Sequence, residues 1–284
     1  MLRGIHTSAA GMSAMQSRLD IVSNNIANVD LVGYKRDIAI FKEFPNIQIR
    51  RDKDDGLVSF PLGSYDKMPF VGKLGTGVEL NESYTIFEQG SFRETQNDFD
   101  LALSGKGFIT VLTEKGERYT RNGAFTIDKE GFLVTKDGYK VITDDGNSIQ
   151  IKTNNFTIDK EGYIYQNREF AEPKDRLVQR DENEWNDTEL IGRLKIVRFP
   201  RERELRREGN SFYYEDEFSG SPYLAEGAER PEVLKGFLEM ANVNPVIEMT
   251  QMIEVQRAYE ANQKSIQSHE QMLSRVINDV GVIR

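Results

Sequence analysis

The sequence predicts an α+β chain: a central all-β domain of short antiparallel strands, with long N- and C-terminal helices packing together as a coiled-coil-like pair. Three observations predict it. Near the end of the chain, apolar residues recur at alternating steps of three and four. The same alternation runs along the first residues. Between the two, short runs alternate apolar with polar residues and are separated by Gly-bearing turns.

The first segment is residues 1–37. Leu2, Ile5, Ala9, Met12, Gln16, Leu19, Ser23 and Ile26 form one stripe of a helix spanning 2–28. A single thin stripe buries too little apolar surface to offset the entropy of ordering a helix, so it requires a partner. Asn24, Asn25 and Asn28, followed by Gly33, end the helix, because Asn and Gly tolerate left-handed backbone. Residues 38–82 read as extended and irregular, with room for one hairpin. Arg50 to Gly56 (RRDKDDG) is a charged turn, and Pro61, Gly63, Pro69, Gly72, Gly75 and Gly77 punctuate the rest.

Residues 83–230 read as the β-rich domain. Strands are expected at Tyr84–Phe87, Leu101–Leu103, Phe108–Leu112, Tyr139–Ile142 and Leu194–Phe199. One motif occurs twice: FTIDKEGF at Phe125–Phe132 and FTIDKEGY at Phe156–Tyr163. Each copy reads as a strand, a DKEG turn with Gly where positive φ is needed, and a second strand. Asp181–Asp187, with the single Trp at 185, reads as a surface loop. Arg201–Tyr214 alternates Arg with Glu and reads as a solvated, self-paired face, not a nucleic-acid patch. Ser219–Pro231 is a linker.

The last segment is residues 231–284. Met252, Val255, Tyr259, Asn262, Ile266, His269, Leu273, Val276 and Val280 make a heptad seam. Asn244 suits the N-cap, Pro245 the first turn, and Gly281 the stop. The spacing predicts one unbroken helix on the order of 50 Å long, at about 1.5 Å per residue. The two seams match, so the simplest packing sets helix against helix, the start of the chain beside its end, with other copies supplying further seams.

The 284 residues suffice for one large or two small domains, and the net charge of −9 argues against nucleic acid and against electrostatic docking on an acidic membrane. There is no Cys, so no disulfide or thiolate site is expected. No stretch is apolar and long enough to span a bilayer, and the N-terminal MLRGIHTSAAGMSAMQ lacks the apolar region of a cleaved signal peptide. Export, if it occurs, is expected to use a route without such a peptide.

Little in the sequence points to chemistry. The two His, His6 and His269, both lie on the terminal helices, and no nucleophile or phosphate-loop motif is present. Gly105-Lys106-Gly107 precedes a strand and lacks the third Gly of a dinucleotide loop. The DKEG turns and Asp144–Asn147 lack the spaced oxygen ligands of an EF-hand. No catalytic residue, cofactor or metal is expected. No carboxylate pair stands out as a glycosidase site.

Five stretches together resemble the axial proteins of the bacterial flagellum, the basal-body rod and hook family. They are SNNIANVDLVGYK (Ser23–Lys35), GTGVEL (Gly75–Leu80), the run Phe87–Val111 with Arg118–Val141, and NVNPVIEMTQMIEVQRAYEANQKSIQ (Asn242–Gln267). The resemblance implies a structural subunit, not an enzyme, whose terminal helices polymerise in an inner tube while the β domain faces outward. It implies partners that are copies of the same chain, other rod and axial proteins and the flagellar export apparatus. It also implies a place in the basal body, crossing the periplasm, and terminal helices that fold on assembly.

Seams and resemblance together place the assembly interface in three groups. The first helix contributes Leu2, Ile5, Ala9, Met12, Leu19 and Ile26. Its closing turn contributes Asn24, Asn25, Asn28, Gly33 and Tyr34. The final helix and its approach contribute Asn242, Asn244, Pro245, Met249, Met252, Val255, Arg257, Tyr259, Ile266, Leu273 and Val276.

Phe41–Arg50 (FKEFPNIQIR) is more similar to the proximal rod subunit, which is the favoured reading; the distal subunit shares GTGVEL and the final helix. Leu31 stands where the family often has Thr, and Asp181–Asp187 resembles an insertion. Two readings from other classes stand beside it: a soluble β-domain binding protein oligomerised by a coiled coil, and a hydrolase with an unrecognised carboxylate pair.

Overall fold

The computed structural model describes residues 2–50, 58–60, 63–65, 70–151, 156–167, 188–209 and 211–281. The expected loop at Asp181–Asp187 and most of the charged turn before Gly56 lie outside the described residues. The chain divides into two compact units: Met1–Asn24, Asp37–Ser83 and Val246–Arg284 form one, and Asn25–Arg36 with Tyr84–Pro245 the other.

Unit 1 holds nearly all of the two terminal helices, α1 (Leu2–Ala27) as far as Asn24 and α2 (Pro245–Gly281) from Val246. At 37 residues, α2 is about 55 Å long. The helices pack antiparallel. Added Cβ atoms at Gly4 and Gly11 would stand 2.6 Å from His269 Nε2 and 3.0 Å from Asn262 Nδ2. Between them the Ser8 hydroxyl donates to Ser265 Oγ at 3.2 Å. Two glycines inside a helix cost about 1 kcal/mol each against Ala; here the lost side chains let the two backbones approach.

The contact stripe of α1 therefore runs through Gly4, Ser8 and Gly11, one position before the apolar series Ile5, Ala9 and Met12. Ile5 and Met12 are half-buried and Ala9 is exposed. On α2 the heptad positions share one face: Val255 is buried, and Met252, Tyr259, Asn262, Ile266, His269 and Leu273 are half-buried.

Residues 37–85 are more regular than the single hairpin expected of the punctuation. Three antiparallel pairs are nested: Asp37–Glu43 with Val78–Thr85, Ile47–Arg50 with Phe70–Leu74, and Val58–Phe60 with Gly63–Tyr65. At its base, Gly77 (φ +143°) leaves room for Ala10, whose Cβ would lie 2.8 Å from an added one. The expected strand at Tyr84–Phe87 is the last part of Val78–Thr85, and Phe87 leaves it to join an aromatic cluster.

Unit 2 is antiparallel β. Its main sheet runs in the order 125–127, 133–135, 140–141, 108–113, 116–120, 212–214, 206–208, and 196–198 pairs with both 108–113 and 223–224. A second sheet joins 156–158, 163–167 and 188–193. The repeated motif folds alike in both copies. Gly131 and Gly162 take φ +85° and +82°, and each donates its N–H to the Asp opening its turn at 2.8 Å. Between the sheets lies one aliphatic core that includes Leu101, Val111, Leu133, Ile149, Ile164 and Leu194. Phe108, Tyr119, Phe199 and Tyr213 form a smaller aromatic one.

Residues 231–244, grouped with the final helix on sequence, are β structure. Glu232–Lys235 pairs with Leu101–Ser104, and Phe237–Glu239 pairs with Phe92–Glu94. The alternation Val233 buried, Glu232 exposed is a strand period, which the nearby helix seam masks. No described helix is long and apolar enough to cross a membrane.

Candidate functional site

The expected site residues fall into two arrangements. The first is a clasp in unit 2, at the turn that follows α1. Gly33 adopts φ +69° and donates its N–H to the Glu239 carbonyl at 2.7 Å. A Cβ there would sit 2.5 Å from the Arg121 backbone. That turn buries Tyr34, whose hydroxyl donates to Asn25 Oδ1 at 3.1 Å while the Arg207 guanidinium lies 4.6 Å from its ring centre. Lys35, 1 % exposed, donates to Glu239 Oε1 at 2.5 Å and to the Glu88 carbonyl at 2.6 Å. The same carboxylate accepts the Gly90 N–H at 3.0 Å and Arg121 Nη1 at 3.4 Å.

Asn242 closes the clasp. Its Oδ1 accepts the Arg36 N–H at 2.8 Å, and its Nδ2 donates to the Ile86 carbonyl at 2.9 Å. Arg207 Nη2 donates to the Lys35 carbonyl.

The electrostatics follow from this burial. Removal from water pushes the Lys35 amine below its ordinary value, and the adjacent Glu239 carboxylate opposes that shift. The Arg121 guanidinium is lowered for the same first reason. Removing one partner of a buried ion pair leaves the other uncompensated, at about 3–5 kcal/mol. Asn25, Gly33 and Tyr34, placed on an assembly surface by the sequence reading, are buried within the single chain. Lys35 closes the Ser23–Lys35 stretch of the resemblance but was given no role there, and Arg121 and Glu239 were not singled out.

The second arrangement is the surface of the helices in unit 1. Val246, Met249 and Ile253, at i, i+3 and i+7, are 71, 52 and 50 % exposed. They lie on the side of α2 away from Val255. Beyond the Gly4–His269 contact, Met272, Val276 and Ile277 are also exposed. Arg257 and Asn244 are exposed, Tyr259 and Ile266 half-buried. On α1, Leu19 and Ile26 are half-buried and Asn24 is exposed; the side chain of Leu2 lies outside the described residues. Among the described residues no group of three or more His, Asp or Glu is placed to hold a metal ion.

The terminal helices leave apolar stripes exposed, the β unit is locked by its own residues, and no metal-binding group is present among the described residues, a combination that suits a structural protein. Comparison with known proteins agrees. Three family models match in chain order: "Flagella basal body rod protein" over 5–35, "Flagellar hook protein FlgE/F/G D1 domain" over 102–166, and "Flagellar basal body rod FlgEFG protein C-terminal" over 234–279. The flagellar basal-body rod protein FlgG of Buchnera aphidicola is 32 % identical over 279 residues, covering 97 % of this chain and 99 % of its own length. That of Caulobacter vibrioides is 33 % identical over 278 residues, covering 96 % and 97 %. The rod protein FlgF of C. vibrioides is 29 % identical over 284 residues, covering both chains entirely. The chain belongs to the flagellar basal-body rod and hook protein family.

Proposed function

We propose that the chain is the distal subunit of the flagellar rod, a non-enzymatic building block of the basal-body axis. The carrying observation is the end-to-end match to rod proteins named FlgG, at 32 and 33 % identity, against 29 % for FlgF. This reading replaces the preference for the proximal subunit drawn from Phe41–Arg50, a short segment whose Ile47–Arg50 strand is wholly exposed. Exposed strands vary readily, so ten residues weigh less than the full length.

Assembly buries the stripes that α2 leaves exposed, against copies of the same chain and neighbouring axial proteins. Each Å² of apolar surface removed from water contributes about 25 cal/mol before the costs of association. Contacts of this kind are heterologous, and build a helical tube when they do not close within one plane. Subunits reach the axis through the flagellar export apparatus.

Two experiments test the reading. Gold labelling of a tagged, functional chain in isolated basal bodies is expected to mark the hook-side end of the rod; label confined to the membrane-side end overturns the distal assignment. A Tyr259→Asp chain is expected to leave cells without completed rods while its β unit stays folded. Motile cells carrying only that variant overturn the assembly role of α2.

A further inference from the structure

The α2 seam is apolar except at Asn262 and His269, and these two meet the glycines Gly11 and Gly4 of α1. An amide keeps its charge state at every ordinary pH, whereas an imidazole does not. Nε2, Cε1 and Cδ2 of His269 stand 2.6, 2.9 and 3.3 Å from where a Gly4 Cβ would be, so the ring takes the place of the missing side chain. Its other nitrogen, Nδ1, is enclosed and has no hydrogen-bond partner. One turn further along, the Ser8–Ser265 bond sets the spacing of the two helices.

Nothing charged is bonded to that enclosed nitrogen. One turn either side of His269 on α2 stand Ser265, Ile266, Met272 and Leu273, none of them ionisable. The nearest ionisable side chains along the two helices are Glu270 on α2 and Arg3 and His6 on α1, all exposed. None of them is hydrogen-bonded to Nδ1. The strands of unit 1 meet α1 at Ala10, about 9 Å further along the helix.

A neutral imidazole has one N–H and can leave Nδ1 bare; an imidazolium has two, and both need acceptors. Protonation of the paired state therefore puts a charged N–H where no acceptor stands. That cost vanishes once the helices part and water reaches the ring. We propose that His269 on Gly4 is an acid-sensitive latch: the neutral ring holds the start of α1 against α2, and protonation releases it. The parted state takes up the proton that the paired state rejects. Pairing is thus complete above about pH 7 and is lost as pH falls through the imidazole range. Release is confined to the first turns of α1, because Asn262 against Gly11 does not titrate. The latch belongs to the single chain and is independent of the rod reading.

The chain has no Cys, so two introduced cysteines carry two spin labels and no others. Thr7→Cys and Ser268→Cys replace exposed residues beside the contact whose hydroxyls bond only their own helix. The distance between the labels is measured by pulsed electron resonance in the dilute full-length protein. A narrow distribution is expected at pH 7.5. The ratio of paired to parted population is expected to fall about tenfold by pH 5.5, as one unsatisfied buried donor implies. His269→Gln or His269→Leu is expected to keep the distribution narrow at both pH values, and His6→Gln to leave the response intact. The His269 Cε1–H signal, followed by NMR in the same labelled chain, is expected to titrate together with the release.

No response in the labelled chain, or a distribution broad at every pH, overturns the latch. So does a response that survives both replacements of His269 or is abolished by His6→Gln. If both replacements part the helices at pH 7.5, the ring signal decides: release that tracks its titration keeps the latch, and release that does not overturns it.

Discussion

In unit 2 the turn after α1 meets the strand Phe237–Glu239 through Lys35, Arg121 and Glu239, side chains with 1, 5 and 1 % of their surface exposed. In unit 1, α1 meets α2 through Gly4, Ser8 and Gly11 against His269, Ser265 and Asn262. The first contact buries charge and bonds it; the second brings small and polar groups together and buries little. Unit 2 has two hydrophobic cores behind its clasp. In the paired part of unit 1 the fully buried apolar side chains are few, with Ala14, Val22 and Val255 the main ones. The difference teaches that the signature stretches of this chain do separate work. Those flanking the β domain lock it from within the chain, and the helices leave apolar surface exposed.

The sharpest way to break this comparison is at Glu239. Glu239→Ala leaves Lys35 and Arg121 buried without their shared carboxylate and is expected to cost about 3–5 kcal/mol of unit 2 stability, read by urea unfolding. Adding Lys35→Met is expected to restore part of that loss, because it removes the orphaned ammonium. A Glu239→Ala loss below about 1 kcal/mol denies the clasp its role.

Gly33→Ala is expected to cost about 2 kcal/mol or more in the same measurement, since it places a side chain at positive φ and drives it into the Arg121 backbone. Gly11→Leu acts on the other contact. It overfills the helix pair by about 1–3 kcal/mol, and is expected to lower helical ellipticity while the urea midpoint of unit 2 stays put. A joint shift of both would show that the two contacts are not independent.

The architecture was legible because period carries it. The three-four alternation of Val255, Tyr259, Ile266 and Leu273, and the two FTIDKEG turns, are local patterns written in residue type. The clasp was not legible. Lys35 and Glu239 are 204 positions apart, and a charged residue in sequence carries no mark of whether its partner lies in solvent or in the chain. The close contacts of α1 at Gly4, Ser8 and Gly11 were not legible for a related reason: a stripe is read from apolar residues, but close approach of two backbones selects glycine and serine. Strands at 232–235 and 237–239 were missed because each is short and stands just before a helix whose pattern dominates the window.

Ile253 separates stability from assembly. It is half exposed, so Ile253→Asp is expected to change the unfolding free energy of the dilute protein by no more than about 0.5 kcal/mol. Rod assembly in cells is expected to fail, because the charge would have to be buried between subunits. Normal assembly with Ile253→Asp would move the interface off this face of α2.

The smallest effect lies in the alkaline limb. Tyr119 is buried in the aromatic cluster, 4.8 Å from the Phe199 ring centre. Burial first, then Glu215 and Glu117, pushes its phenol up from 10.0 to about 12. The unfolded chain therefore loses this proton before the folded one. The stability that Tyr119 contributes is complete below pH 10 and is lost as pH rises towards about 12. Lys35 has the opposite sign. Its amine is lowered from 10.5, so in the window below that value the unfolded chain holds the proton more tightly, and stability rises with pH. Tyr119→Phe is expected to flatten the fall in urea midpoint between pH 10 and 12, and Lys35→Met to remove the opposing rise below it. Both groups sit in unit 2, so the ellipticity of α1 and α2 is expected to follow neither substitution. A change in helix content with Tyr119→Phe would tie the helices to the lock that this comparison keeps separate from them.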